Sequence, residues 1–136
     1  MAVIDASVYI ALINAHEPDH DRSWVWFEGV RTSQEPILAP VILIAEVAAA
    51  LSRGVGNRAL AHEVVQQLAR SQVVELVPVS LALAERAAAI AADHRIRGCD
   101  AVYVALAEQL DERLVTLDGQ QLERGASVAA TASPGE

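Results

Sequence analysis

Four carboxylates stand out by the way they interrupt apolar sequence. Ala2-Val3-Ile4 runs straight into Asp5, and Leu114-Val115-Thr116-Leu117 runs into Asp118. Glu46 is the one polar residue between Val41 and Leu51, and Asp100 opens the apolar stretch from Ala101 to Ala107. Anions gathered in one place repel, so such a cluster persists only around positive charge. Oxygen donors suit Mg²⁺ or Mn²⁺ rather than zinc. Mg²⁺ takes one or two carboxylates, keeps several waters and leaves sites for a phosphate. With two ions ~3.5–4 Å apart, one activates water while the other stabilises the leaving oxygen. The chemistry this set points to is phosphodiester hydrolysis.

Each acid also has a plainer reading. Asp5 and Ser7 are both good helix caps, Asp100 sits at a helix start, and Asp118-Gly119 alone reads as a turn. Glu46 could be a solvated residue on a thin exposed edge. The repetition weighs against coincidence: twice an apolar strand ends in aspartate, at the strand end where ligands bind in open α/β sheets. Two other acidic α/β chemistries fit less well. A phosphotransfer receiver relies on a lysine near the phosphate, and this chain has no lysine. A phosphatase with an aspartyl nucleophile wants a second acid two residues after the first, where this chain has Ser7.

One motif is rejected. His16-Glu17-Pro18-Asp19-His20 spells H-E-x-x-H, a zinc signature that works only when both imidazoles share one helical face. Pro18 disfavours helix at Glu17 and cannot donate to a helix ladder.

The elements that must position the acids follow from periodicity. Ala2–Ile4 is a strand that feeds a helix from Ser7 to Ala15. A second helix spans 19–30 and carries Trp24, Trp26 and Phe27; because 24 and 27 share a face and 26 does not, one aromatic is expected to stand exposed. Ile37–Ala39 is a short strand, and Pro40 suits the first turn of a helix running to Arg53. Ten of that helix's first eleven residues are apolar, so Glu46 is expected among buried neighbours and in need of a cation, a metal or a proton. Gly54 to Asn57 breaks the chain before a helix over 58–70. Val73–Val79 reads as a strand, Ser80 caps an alanine-rich helix to about Asp93, and a further helix spans 101–108. Leu114–Leu117 is the next strand, and Ser127–Ala130 a last short one. Strands alternating with helix pairs call for a mainly parallel sheet with helices on both faces. That layout brings Asp5 and Asp118 to one sheet edge, within reach of Glu46 and Asp100.

The totals agree. At 136 residues and 53% hydrophobic the chain is one domain with a real core, not a disordered segment. The 26 alanines against five aromatics favour closely packed helices. A single cysteine, Cys99, forms no internal disulfide and fits a reducing compartment; it reads as a small packing residue. No secretory signal is visible, and the most apolar stretch, 37–51, falls short of the ~20 residues a membrane helix needs. A cytoplasmic protein with no membrane partner is expected. The net charge of −8 argues against nucleic acid, but bound divalent cations would offset it. All ten basic residues are arginine, and Arg53, Arg58, Arg95 and Arg97 are placed to line an approach for RNA phosphates.

Taken together, Val3-Ile4-Asp5-Ala6-Ser7, Ile44-Ala45-Glu46-Val47, Gly98-Cys99-Asp100-Ala101 and Val115-Thr116-Leu117-Asp118 resemble the PIN-domain family, and within it the VapC-type toxins of prokaryotic toxin–antitoxin modules. The likeness covers about Val3 to Leu122. It implies a Rossmann-like, three-layer α/β fold with a mainly parallel five-stranded sheet; the domain is expected over 1–128, and the tail, 129–136, is expected from its own sequence to fray. It implies an Mg²⁺- or Mn²⁺-dependent endoribonuclease in which Asp5, Glu46, Asp100 and Asp118 form the acidic quartet and Ser7 and Thr116 are supporting hydroxyls. It further implies a homodimer and a small antitoxin that blocks the site. The alternative is a PIN-type module that binds RNA without cutting it.

Overall fold

Ala2, Val3 and Ile4 have no solvent exposure, which a strand achieves only at the centre of a sheet covered on both faces. In the computed structural model, which describes residues 1–136, these residues form the middle strand, β1 (Ala2–Ile4). They pair in parallel with β2 (Ile37–Pro40) on one side and β4 (Arg113–Val115) on the other. β3 (Val74–Val77) extends the sheet beyond β2, and β5 (Thr131–Ala132) extends it beyond β4. The strand order is β3-β2-β1-β4-β5, all parallel.

The register brings Ile4 opposite Val115, so both strands finish at the same level. From β1 the chain steps outward through β2 to β3, then returns past β1 to lay down β4. Right-handed crossovers running in opposite directions place their helices on opposite faces. The resulting topological switch point lies at the carboxyl ends of β1 and β4, where α/β sheets open a crevice.

α1 (Ala6–Ile13) and α2 (His20–Thr32) follow β1. α2 buries Trp26 and leaves Trp24 44% exposed; Trp24 rests against Phe27, ring centroids 5.6 Å apart. One aromatic is indeed outside. Because α2 begins at His20, His16 lies off the helix and cannot share a helical face with it; the His20 ring nitrogen Nδ1 is engaged with the Ala11 carbonyl at 2.7 Å.

Between β2 and β3 the helix expected to reach Arg53 is shorter and compound. α3 (Leu43–Ala49) passes into a π-helical turn over Ala50–Gly54, a widening found mostly as single turns and often near functional sites. α4 (Arg58–Ala69), capped by Asn57 accepting from the Leu60 N–H, packs beside it. After β3, Ser80 caps α5 (Leu81–His94) as expected. Arg95 ends α5 in the left-handed region, φ 56°, and the Arg124 guanidinium donates to its carbonyl at 2.7 Å. That sharp stop allows α6 (Gly98–Leu110) to start three residues later. Tyr103, Val104, Leu106 and Leu114 are wholly or almost wholly buried with Ile4 and Leu43; truncating such a core residue to alanine costs about 2–5 kcal/mol.

Two expectations near the end of the chain are corrected. Ser127–Ala130 is not a strand: Gly125–Ser127 forms a 3₁₀ turn after α7 (Gly119–Arg124). The last strand lies later, in the segment expected to fray, where Thr131 and Ala132 pair with Leu114 and Val115. Ser133 is buried beyond it, and the Thr131 hydroxyl donates to the Leu122 carbonyl at 2.8 Å. The segment is held because β4 would otherwise leave one edge of its backbone unpaired inside the protein.

Candidate functional site

Asp5 follows β1 directly and is 3% exposed. A carboxylate so placed must be satisfied from within the protein, and it is. Oδ1 accepts from the Ser7 hydroxyl at 2.5 Å and the Val8 N–H at 3.2 Å. Oδ2 accepts from the Thr116 hydroxyl at 2.5 Å and the Gln121 side-chain amide at 3.1 Å. The capping and strand-end readings are therefore both right: Asp5 caps α1 and also faces the switch point.

The two hydroxyls do more than donate. Ser7 Oγ accepts from the Leu117 N–H and Thr116 Oγ1 from the Asp118 N–H, each at 3.0 Å. Each hydroxyl thus links the β4–α7 connection to one oxygen of Asp5, and its accepted bond directs its own proton toward the carboxylate. Burial pushes the Asp5 carboxyl above its ordinary range. Ser7, Thr116 and the Val8 N–H oppose that rise, and the nearby charge of Asp118 adds to it.

Asp118 caps α7, accepting from the N–H groups of Gln120 at 2.8 Å and Gln121 at 3.4 Å. Asp100 is the third residue of α6, three positions past the N-cap at Arg97 and not at the cap position expected. Its side chain is 15% exposed, with the Arg97 Nε 3.7 Å away. Its carboxyl is pushed up to about 6, first by burial, then by the charges of Asp118, Glu46 and Asp5, with Arg97 acting against them. Asp100 therefore senses all three other acids. The four carboxylates come from four separate elements and converge on one region.

Glu46 reaches that region from α3, but its setting differs from expectation. It is half-buried, and its neighbours Ala45 and Ala49 are exposed. Only Leu43 and Val47 of α3 are buried. Ala45, Glu46 and Ala49, with Ala50, Arg53, Gly54 and Arg97, line an open groove of about 630 Å³. The alanines are small rather than core-seeking here, and leave a shallow floor beside the acid. Tyr103, one turn after Asp100 on α6, is fully buried with no hydrogen-bond partner for its hydroxyl. Burial raises its pKa far above the ordinary phenol value, and Glu46 adds to the rise.

Among the four candidate arginines, Arg53 and Arg97 line the Glu46 groove, and Arg58 shares the adjoining cavity with Arg53. Arg95 lies outside both, at the end of α5. Cys99 is exposed, not the packing residue expected, because α6 turns its first residues outward.

Gln121 was not singled out in the sequence. Asp118-Gly-Gln-Gln121 has the spacing of a capping box, in which the glutamine reaches back to its own helix's cap N–H. Here Thr116 takes that N–H, and the Gln121 amide turns to Asp5.

No three acidic, histidine or cysteine side chains stand close enough to form a ready-made cage for an ion. A divalent cation that keeps most of its water does not need one. Four carboxylates with hydroxyl support, all oxygen donors, and one mostly exposed arginine as their ion-pair partner suit such a cation. Asp5, Glu46, Asp100 and Asp118 would hold it.

Residues 2–126 match the PIN domain family. Among solved structures the chain is similar to VapC20 of Mycobacterium tuberculosis, a sarcin-ricin loop cleaving toxin. That structure is 22% identical with a TM-score of 0.77, over 98% of this chain and 100% of that one. FitAcB from Neisseria gonorrhoeae is similar at 17% identity and a TM-score of 0.72, over 98% of each chain. VapBC2 from Rickettsia felis, bound to a DNA fragment from their promoter, is 12% identical with a TM-score of 0.72 over 97% of each chain. These likenesses are of fold. No curated protein matches the chain in sequence.

Proposed function

The chain belongs to the PIN-domain family, and from that premise we propose that it is an Mg²⁺- or Mn²⁺-dependent endoribonuclease, the toxin of a toxin–antitoxin pair. One observation carries the catalytic part: four carboxylates from four elements converge at the sheet's switch point, and the ion pair of Asp100 with the exposed Arg97 is the only one among them. A site with that imbalance is built to receive cations. The toxin part is supported by solved neighbours described as toxins or toxin–antitoxin complexes. A small antitoxin partner, a homodimer and a cytoplasmic location belong to the same proposal; no helix of the chain is long and apolar enough to cross a membrane.

When bound, the cation supplies charge stabilisation at the phosphate and a water of lowered pKa. The protein's own groups supply the geometry. Ser7 and Thr116 fix the plane of the Asp5 carboxylate between two backbone N–H anchors. Asp118 and Asp100 flank it, and Glu46 stands over the alanine-floored groove, where an RNA backbone can approach closely. Arg53, Arg58 and Arg97 line that approach and hold phosphates without reading sequence. With a pKa of about 6, Asp100 is ionised at neutral pH.

The test is cleavage of a looped or single-stranded RNA by the purified chain. Cleavage that requires Mn²⁺ or Mg²⁺, stops in EDTA and leaves 5′-phosphate ends is expected. Cleavage that survives EDTA and leaves 2′,3′-cyclic phosphates would exclude the proposal. Cation and RNA binding without any cleavage would indicate the non-cutting module instead.

A further inference from the structure

We infer that Gln121 is a positioning residue that occupies the Asp5 lone pair a divalent cation would take, so that its release sets how tightly the site binds metal. The inference rests on the metal-site reading above and concerns one residue outside the acidic quartet.

An ionised carboxylate has about four lone-pair sites. Asp5 receives four protein donors, Ser7 Oγ and Val8 N on Oδ1, Thr116 Oγ1 and Gln121 Nε2 on Oδ2. As it stands, Asp5 has no unused oxygen lone pair to offer a cation. One donor must give way.

The four are not equally anchored. The Val8 N–H is fixed in the first turn of α1. The Ser7 and Thr116 hydroxyls are each pinned from behind by a backbone N–H, from Leu117 and Asp118. Gln121 is different. It is 3% exposed, its Nε2 bonds only to Asp5, and its Oε1 is buried without any partner. That orphan oxygen is the atom a capping box would have used on the Asp118 N–H, which Thr116 has taken. A glutamine in the third position of a helix is thus diverted from its local role, leaving an acceptor unsatisfied at a cost. Departures of this kind from local logic are found at functional sites. The amide's nitrogen faces Asp5 because a carboxylate offers only acceptors. Turning the amide over would remove the donor and bring Oε1 to the same place, an exchange that is favourable only when positive charge sits there.

The experiment compares wild type, Gln121→Leu and Gln121→Met by Mn²⁺ calorimetry and by thermal melting in EDTA. Removing the competing donor should tighten Mn²⁺ binding about tenfold, the order of effect carried by a hydrogen bond to a charged group. The same variants should melt lower in EDTA, by about 2–5 °C, because Asp5 loses a donor. A merely structural glutamine would lower melting equally with and without Mn²⁺ and leave the dissociation constant unmoved; that result overturns the inference. Should Gln121→Leu fail to fold, Gln121→Met and the wild type decide the question alone. In an Asp5→Asn background the Gln121→Met effect in EDTA should shrink, which a double-mutant cycle reads directly; full additivity counts against the inference. Mn²⁺ binding by wild type with no change in either variant refutes the role of Gln121 only. No Mn²⁺ binding by wild type refutes the metal site itself, and the inference with it.

Discussion

Acidic side chains gather at each end of the sheet, and the two groups differ in how their charge is balanced. At the amino ends of the strands a cavity of about 700 Å³ is lined by Glu35, Glu108, Asp111 and Glu112 with Met1 and Arg113. Three of its four acids are answered within the chain. Glu35 lies 3.6 Å from the Met1 amine and 3.9 Å from Arg113, Glu112 lies 3.7 Å from the same amine, and Glu108 is gripped by Arg86 through two bonds of 2.7 Å. At the carboxyl ends, Asp5, Glu46, Asp100 and Asp118 share one ion pair, with a mostly exposed arginine. Cavity size alone would point to the amino end. Unbalanced charge, together with carboxylates oriented by hydroxyls that are themselves oriented, supports the proposal that a cation binds at the carboxyl end.

The largest effect should come from uncharging the carboxyl-end cluster. Asp5→Asn and Asp100→Asn should each lower RNA cleavage by orders of magnitude while keeping the circular dichroism spectrum, since a lost ligand removes several kcal/mol of transition-state stabilisation. Glu112→Gln, at the other end, should leave turnover within about twofold, as expected of a surface change. Equal losses at both ends would erase the contrast.

Next in size is Thr116→Val. The change strips Asp5 of a donor and leaves the Asp118 N–H facing a methyl group in a buried site. A loss of about 1–3 kcal/mol in urea unfolding is expected. A stability change below about 0.5 kcal/mol would mean that the hydroxyl bridge does not hold the site.

The pH dependence sharpens the comparison further. The folded-state pKa of Asp100, about 6, stands above its unfolded value, so between the two the folded chain binds more protons. Asp100's contribution to stability is therefore full below about pH 4 and is lost as pH rises through about 6. In EDTA the effect should be on the order of 1–2 kcal/mol, and Asp100→Asn should flatten it. Cation binding runs the opposite way, strengthening as Asp100 ionises. A stability in EDTA that rises between pH 4 and 6, unchanged in Asp100→Asn, would contradict the crowding of charge around that residue.

The smallest effect belongs to the amino end. Its ion pairs are solvent-exposed, so Glu35→Gln should cost no more than about 1 kcal/mol and should be masked by salt.

Much of this was legible in the sequence where an apolar run and a polar interruption sit next to each other in the chain. β1 ending at Asp5 and the strand before Asp118 are of that kind, and so are the caps at Asn57 and Ser80. Glu46 was found for a reason that only half holds. Its apolar neighbours suggested burial all round, but Ala45 and Ala49 are small enough to face solvent, and a run of alanines does not say which side is covered. What escaped was decided by distant partners. Thr131–Ala132 has no strand pattern of its own and becomes a strand because β4 has an edge to fill. Gln121 reads as an ordinary helix-start residue until Thr116, five residues earlier, takes the N–H it would have bonded and Asp5, from the other end of the chain, takes its amide. Cys99 looked like packing, and the outward turn at the start of α6 exposes it.

The most direct test of the account asks which acidic end takes the cation. Mn²⁺ titration by calorimetry on wild type, Asp100→Asn and Glu112→Gln, at a pH above 7 where Asp100 is ionised, answers it in one experiment. The account predicts binding by wild type and Glu112→Gln with similar affinity, and a loss of at least tenfold in Asp100→Asn. Binding that survives Asp100→Asn and fails in Glu112→Gln would place the cation at the amino end and contradict the assignment of the site.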